Sequence, residues 1–140
     1  MKTAVAIILI LGLLASGALY LFSNSNNVEQ PTVYKDLIQI DSPLENSIIT
    51  NPVTIRGKAR GNWYFEASFP VEILDEDGTV LWQGPIQAQG DWMTSEFVPF
   101  SQTITFKAPK GTSGQIIFHK DNPSGDPARD ESVSVSVKFK

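Results

Sequence analysis

The chain is 140 residues long, contains no cysteine and carries a formal net charge of −4. The missing cysteines exclude a disulfide framework, a thiolate metal site and a lipid-modified cysteine. The negative charge disfavours nucleic acid as a partner, because phosphate binding requires a basic surface and no basic run is visible. After an apolar N-terminus, about 105 residues remain, which favours one folded domain.

The N-terminal stretch from Ala4 to Phe22 is uncharged and almost wholly apolar. As a helix it spans roughly 28 Å, close to the hydrocarbon thickness of a bilayer. Lys2 precedes it, so the positive-inside tendency predicts a single pass through the cell membrane, with the rest of the chain outside the cytoplasm. Ser16-Gly17-Ala18 leaves open a cleaved signal segment, in which case the protein is secreted.

The chain therefore divides into three predicted regions. Residues 1–22 are a membrane anchor or signal segment, residues 23–35 a polar tether and residues 36–140 the folded domain. The stretch from Ser23 to Pro31 is polar and closed by proline, which is typical of a flexible tether.

The folded domain alternates apolar and polar residues with the period of a β-strand, and no helical periodicity follows Phe22. Asp77-Gly78 supplies the positive-φ positions of a tight hairpin turn. The spacing predicts an all-β, immunoglobulin-like antiparallel β-sandwich of seven to eight strands. The predicted strands are Leu37–Ile40, Val53–Ala59, Pro70–Leu74, Thr79–Gln83, Thr103–Phe106, Gln115–Phe118 and Val133–Phe139.

Six motifs follow one another across residues 38–140: Pro52 to Gly61, Trp63 to Pro70, Asp77-Gly78, Gly90 to Thr94, Pro99-Phe100 and Asp121 to Gly125. In this order they resemble the immunoglobulin-like domain of bacterial spore germination. The resemblance implies an envelope-exposed sandwich without an established catalytic activity that mediates interactions.

Three aromatic residues in a row, Trp63, Tyr64 and Phe65, form the first candidate site. In extended backbone Tyr64 faces opposite to Trp63 and Phe65. The rings on one face either plug the end of the sandwich or form a platform on which a ligand stacks. Both interpretations are open from the sequence.

Trp92 forms the second candidate site, together with its neighbours Asp91 and Thr94. The preceding Gly90-Asp91 predicts a turn that folds the indole ring back over the core. Asp91 or Thr94 then accepts hydrogen bonds from loop amides or from the indole N–H.

Glu66 is expected to be partly buried between its apolar neighbours, and a buried carboxylate needs a partner. Arg56, Arg60 and Arg129 are the available guanidinium groups, so the sequence favours a structural ion pair over a ligand-contacting acid.

Asp121 and Asn122 begin a loop that also contains Asp126 and Asp130, which raises the question of a calcium site. The acids do not follow the spacing of specific calcium loops, and two prolines limit how the backbone can wrap an ion. The sequence therefore predicts a rigid loop and no metal or other cofactor.

Catalysis is not expected. His119 is the single histidine, and neither a zinc triad nor a Ser-His-Asp relay can be assembled around it. The predicted function is a non-catalytic interaction module that binds a protein partner in the envelope. The alternative is binding of cell-wall glycan by Tyr64 and a tryptophan. Two coplanar exposed rings in a row favour sugar, whereas buried rings with an apolar exposed edge strand favour protein.

Overall fold

The computed structural model describes residues 30–140, which form nine β-strands and two short 3₁₀-helices. The 3₁₀-helices are Gly61–Trp63 and Pro127–Arg129. The strands are β1 (Thr32–Tyr34), β2 (Ile38–Ser42), β3 (Ser47–Ile49), β4 (Val53–Arg60), β5 (Ser68–Asp75), β6 (Val80–Gln87), β7 (Phe97–Ile104), β8 (Ser113–His119) and β9 (Ser132–Phe139).

The strands form two sheets, one with the order β1-β2-β4-β7 and the other with the order β3-β9-β8-β5-β6. Every pairing is antiparallel except that of β3 with β9, which is parallel. The all-β sandwich prediction is therefore confirmed, but the second sheet is mixed and the described part has one strand more than expected.

The core lies between the inner faces of the two sheets. In β4 every second side chain is buried, and in β9 Val135, Val137 and Phe139 are buried between exposed residues, which explains the clean alternation of both strands in the sequence. Edge-to-face contacts join Tyr64 to Phe69 and Phe69 to Phe100, with ring centroids 5.2 and 5.1 Å apart. Among residues 30–140, no polar or charged residue is classed as buried. The core is therefore apolar throughout.

The predicted hairpin at Asp77-Gly78 is confirmed. Gly78 has a φ of +82°, and its N–H donates to the carbonyl oxygen of Asp75. The Asp75 carboxylate also accepts hydrogen bonds from the amides of Asp77 and Thr79 at 2.9 and 2.8 Å. This side chain fixes the turn between β5 and β6.

Several predicted boundaries are wrong. Pairing begins at Thr32, inside the predicted tether, so the folded domain starts before Asp36. β6 continues through Gly84-Pro85 to Gln87, and β7 begins at Phe97 rather than Thr103 although it contains Pro99. Proline is tolerated where no ladder hydrogen bond is required of its nitrogen, so these prolines do not end their strands.

The predicted membrane segment at residues 1–22 and most of the predicted tether lie outside the described residues. Residues 30–140 contain no helix with the length and apolar character needed to span a bilayer.

Four loops meet at one end of the sandwich, and we call this the four-loop end. They are residues 35–37, 61–67, 88–96 and 120–131, which connect β1 to β2, β4 to β5, β6 to β7 and β8 to β9. The register places them together, because Ile38 pairs with Ala59, Arg60 with Phe97, and Val71 with Phe118.

Candidate functional site

All eight candidate residues lie in the loops of the four-loop end. Trp63, Tyr64 and Glu66 belong to the loop after β4, Asp91, Trp92 and Thr94 to the loop after β6, and Asp121 and Asn122 to the loop after β8. A backbone hydrogen bond joins the loop after β8 to the loop after β4: the Asp121 N–H donates to the carbonyl oxygen of Trp63 at 2.9 Å.

The expected alternation of Trp63, Tyr64 and Phe65 is wrong. Trp63 and Tyr64 are both buried, whereas Phe65 is 40% exposed. The backbone forms a 3₁₀ turn at Gly61–Trp63 instead of a strand, and period-two alternation does not hold in a helical turn. Gly61 permits the turn, because a Cβ atom there would lie 1.9 Å from the carbonyl oxygen of Thr94.

The two buried rings close the end of the core. The Tyr64 hydroxyl donates a 2.8 Å hydrogen bond to the carbonyl oxygen of Val98 in β7, and burial raises the pKa of this phenol. Trp63 packs edge-to-face on Tyr34 with ring centroids 6.2 Å apart. Neither Trp63 nor Tyr64 offers a ring face to a ligand.

Glu66 lies in a tight two-residue turn rather than in a buried niche. Phe65 and Ser68 exchange two backbone hydrogen bonds across it, at 2.9 and 3.2 Å, and Glu66 and Ala67 adopt φ values of +49° and +63°. These positions normally favour Asn and Gly, so the residues Glu66 and Ala67 do not indicate the turn. The turn directs Phe65 into solvent.

The predicted ion pair of Glu66 with an arginine is wrong, because no arginine within residues 30–140 forms a salt bridge with the exposed Glu66 carboxylate. Arg60 instead pairs with Asp36 at 2.7 Å and with Glu96 at 3.9 Å, and Arg129 lies 4.0 Å from Asp126. The Arg60 guanidinium also stacks on Phe97, 3.8 Å from the ring centroid.

Short-range hydrogen bonds shape the loop that carries Trp92. The Asp91 carboxylate accepts from the amide of Met93 at 3.0 Å, and the Thr94 hydroxyl accepts from the amide of Glu96 at 3.1 Å. These are the local side-chain turns that Asp and Thr commonly form. Trp92 is half-buried and packs against the core.

We call Phe65, Trp92 and Met93 the apolar cluster; Phe65 and Met93 are exposed, and Trp92 is half-buried. The rings of Phe65 and Trp92 meet edge-to-face, with centroids 6.2 Å apart and an interplanar angle of 71°. Met93 follows Trp92 and is 77% exposed. The sequence analysis did not identify Met93 as a surface residue. The one feature that indicates its exposure is its position in a turn with polar neighbours.

The loop after β8 is held by Asn122. Its side-chain amide donates to the carbonyl oxygen of Asp126 at 2.8 Å and to the carboxylate of Asp130 at 2.7 Å, and its oxygen accepts from Ser124 at 2.6 Å. Asp126 caps the following 3₁₀ turn. Within the described chain, no group of three or more acidic, histidine or cysteine side chains is arranged to hold a metal ion.

Asp121 is half-buried beside this loop. Burial raises the pKa of its carboxyl group, and the neighbouring Glu66 carboxylate raises it further.

His119 lies on the outer face of the second sheet, where its Nε2 atom is 2.8 Å from the Glu72 carboxylate. The pair borders an open groove of about 500 Å³ that also includes Asp121 and two prolines of the neighbouring strands, Pro70 and Pro85. The groove is shallow and faces solvent, which is unlike the concave, enclosed sites of most small-molecule enzymes.

A family model described as the immunoglobulin-like domain of bacterial spore germination matches residues 37–127. No curated protein matches the chain. The matched range covers more than half of the chain, from the turn before β2 into the loop after β8, and it includes all eight candidate residues. The chain belongs to the family of immunoglobulin-like domains of bacterial spore germination.

Proposed function

We propose that this protein is a non-catalytic module that binds a protein partner in the cell envelope through the apolar cluster at its four-loop end. In this proposal residues 1–22 hold the domain at the outer side of the cell membrane. Its location and its partner are both part of the proposal.

The exposed apolar cluster is the observation that carries the proposal. Most exposed apolar residues are scattered singly and need no explanation, but Phe65 and Trp92 are in ring contact across two loops, and the exposed Met93 directly follows Trp92. Aromatic residues and methionine are enriched at the centres of protein interfaces. The hydrogen bonds of Asp91 and Thr94 hold the loop in place, so little conformational entropy is lost on binding.

The ring geometry favours a protein over a glycan. Sugar stacking uses the face of an exposed ring, yet Trp63 and Tyr64 are buried and the Phe65 and Trp92 rings meet at 71°. No coplanar pair is present among the described aromatic contacts of the four-loop end. The exposed surface there is an apolar group with mixed ring and thioether chemistry, which suits an apolar protein side chain.

The direction of β1 supports presentation away from the membrane. This strand runs from Thr32 towards Tyr34, whose ring lies against Trp63 at the four-loop end. β1 therefore begins on the side away from the four-loop end, where β9 also ends at Phe139. An anchor attached there leaves the four-loop end directed outwards.

Cross-linking of the full-length protein in cell envelopes, followed by affinity capture, tests this function. We expect a discrete protein to be captured by wild type and to be lost from a variant with Phe65→Ser and Met93→Ser. A matched variant with Ile48→Ser and Val80→Ser removes two exposed apolar side chains outside the four-loop end and should capture normally. Equal loss in both variants, or retention on purified cell wall that depends on Trp92, contradicts the proposal.

A further inference from the structure

Beyond the proposed function, on which this inference rests, we propose that the partner is cationic: a protein segment in which lysine or arginine side chains surround an apolar residue. The apolar residue packs on the apolar cluster, and the basic side chains meet Glu66, Asp91 and Asp121. The distribution of charge over the domain carries this inference.

Charge is strongly segregated in the described chain. The four loops together with the adjoining Arg60 contain four basic and eight acidic residues, a net charge of −4. The remaining residues of the range 30–140 contain six of each. The whole net charge of the described domain therefore lies at the end that also exposes the apolar cluster.

The basic side chains at this end are already paired with acids of the same domain. Lys35 and Lys120 both contact Glu131, at 3.3 and 3.4 Å, and burial of Glu131 is outweighed by these two partners, so its pKa is lowered. Arg60 and Arg129 have the acidic partners described above. The cations that could neutralise the remaining carboxylates are thus engaged elsewhere.

Three carboxylates beside the apolar cluster form no salt bridge with any residue of the described chain: Glu66, Asp91 and Asp121. Glu66 follows Phe65 in the tight turn, and Asp91 precedes Trp92. Glu66 and Asp121 also repel each other. A basic partner group near these unpaired carboxylates is electrostatically complementary to them.

The same charge opposes self-association through this surface. Two copies meeting at their four-loop ends would bring together two ends that each carry a net charge of −4. Like-charge juxtaposition of this kind suppresses a wrong partner. The occupant is therefore a different protein and not a second copy.

Three synthetic peptides of equal length serve as probes against the full-length protein in uncharged detergent. The first combines lysine and leucine, the second replaces each lysine by glutamate, and the third replaces each leucine by serine. We expect the lysine–leucine peptide to bind most tightly and to weaken with added salt, since exposed charges are screened.

Two double variants make the test specific. The double variant Glu66→Lys with Asp121→Lys should bind the lysine–leucine peptide at least about tenfold more weakly than wild type, as expected for loss of two charge contacts. Glu76→Lys with Asp77→Lys changes the net charge equally at the hairpin of the opposite end and should change binding less than about twofold. Met93→Ser should weaken the peptide in the otherwise native protein. Thermal unfolding checks that each variant is folded.

Equal weakening in both double variants, or equal binding of the glutamate and lysine peptides, overturns the inference. So does the absence of any binding. If envelope capture persists but is insensitive to Glu66 and Asp121, the cationic partner is refuted while the binding function stands. If the peptide binds as expected but no envelope protein is captured, the binding function fails instead.

Discussion

The Tyr64 hydroxyl donates to the carbonyl oxygen of Val98 at 2.8 Å, and this hydrogen bond joins the loop after β4 to β7, the strand that pairs with β4. Tyr64 is buried, so both groups are removed from water. A carbonyl that loses its donor in such a place loses the full benefit of the bond and remains desolvated. Tyr64 thus holds in place the loop that carries Phe65 of the apolar cluster.

Tyr64→Phe is expected to lower the free energy of unfolding by about 1–3 kcal/mol, since the Val98 carbonyl is left without this donor. Urea unfolding followed by circular dichroism measures the change. Tyr34→Phe is the matched control at a half-buried ring. It should lower the free energy of unfolding by less than about 0.5 kcal/mol, as a typical surface change does. Equal costs for the two variants would contradict a special role for Tyr64.

The two tryptophans of the four-loop end should differ sharply in their effect on stability. Trp63 is completely buried, so Trp63→Ala should cost about 3–5 kcal/mol. Trp92 is half-buried, so Trp92→Ala should cost about 1–2 kcal/mol. If Trp63→Ala fails to fold, Trp63→Phe replaces it, and its loss of unfolding free energy should still exceed that of Trp92→Phe. The reverse order would show that Trp92, rather than Trp63, closes the core.

Much of the sandwich could be predicted because its central strands bury one face only. Val133–Phe139 was predicted from strict alternation, and β9 spans Ser132–Phe139 with Val135, Val137 and Phe139 buried. The turn at Asp77-Gly78 was equally visible, because Gly is favoured where φ is positive. Local pattern and backbone geometry agree at these positions.

The missed features depend on contacts that are distant in the sequence. β3 has three residues and pairs in parallel with β9, so no alternation or hairpin reveals it. The buried position of Tyr64 depends on the turn that Gly61 permits against the loop after β6. Glu66 and Ala67 form a positive-φ turn without the usual residues. Composition therefore identifies the candidate loops, but it does not predict the directions in which their side chains point.

The loop after β8 should depend on Asn122 for its rigidity. Asn122→Ala removes hydrogen bonds to Asp126, Asp130 and Ser124, and we expect a loss of about 1–2 kcal/mol. Hydrogen exchange should accelerate within residues 120–131 and remain unchanged in β4. Asn62→Ala is the control, because Asn62 is an exposed residue of the same type. Unchanged exchange in Asn122→Ala would contradict the locking role.

The carboxyl group of Asp121 should make stability depend on pH. Its pKa is raised in the folded state, first by burial and then by Glu66, so the folded protein prefers the protonated form. The contribution to stability is complete below the ordinary pKa of 3.8 and is lost as the pH rises through the folded-state value. Asp121→Asn should therefore be more stable than wild type at neutral pH, by less than about 1 kcal/mol at this half-exposed site.

Unfolding measured from acidic to neutral pH checks this sign. The difference between wild type and Asp121→Asn should vanish below the ordinary aspartate pKa and should shrink at neutral pH in a Glu66→Gln background. A variant that is less stable than wild type at neutral pH would show that the Asp121 carboxylate is stabilised by a contact rather than strained.

Pro70 and Pro85 lie directly opposite each other in the ladder between β5 and β6. Proline has no N–H, so this facing pair cannot exchange hydrogen bonds, and in an antiparallel ladder such a pair directs its amide groups away from the partner strand. The nitrogen of Pro85 therefore points to the free edge of β6, and that of Pro70 points towards β8. A proline at a sheet edge blocks pairing with another chain.

Pro85→Thr should promote association of the detergent-solubilised protein, because it adds an N–H donor to the free edge of β6 and a residue that favours strands. Pro70→Thr adds the same donor on the side of β8, inside the sheet, and should stay monomeric. Sedimentation velocity over a range of concentrations distinguishes the two. Association of both variants would indicate general destabilisation, and association of neither would show that another feature of β6 protects the edge.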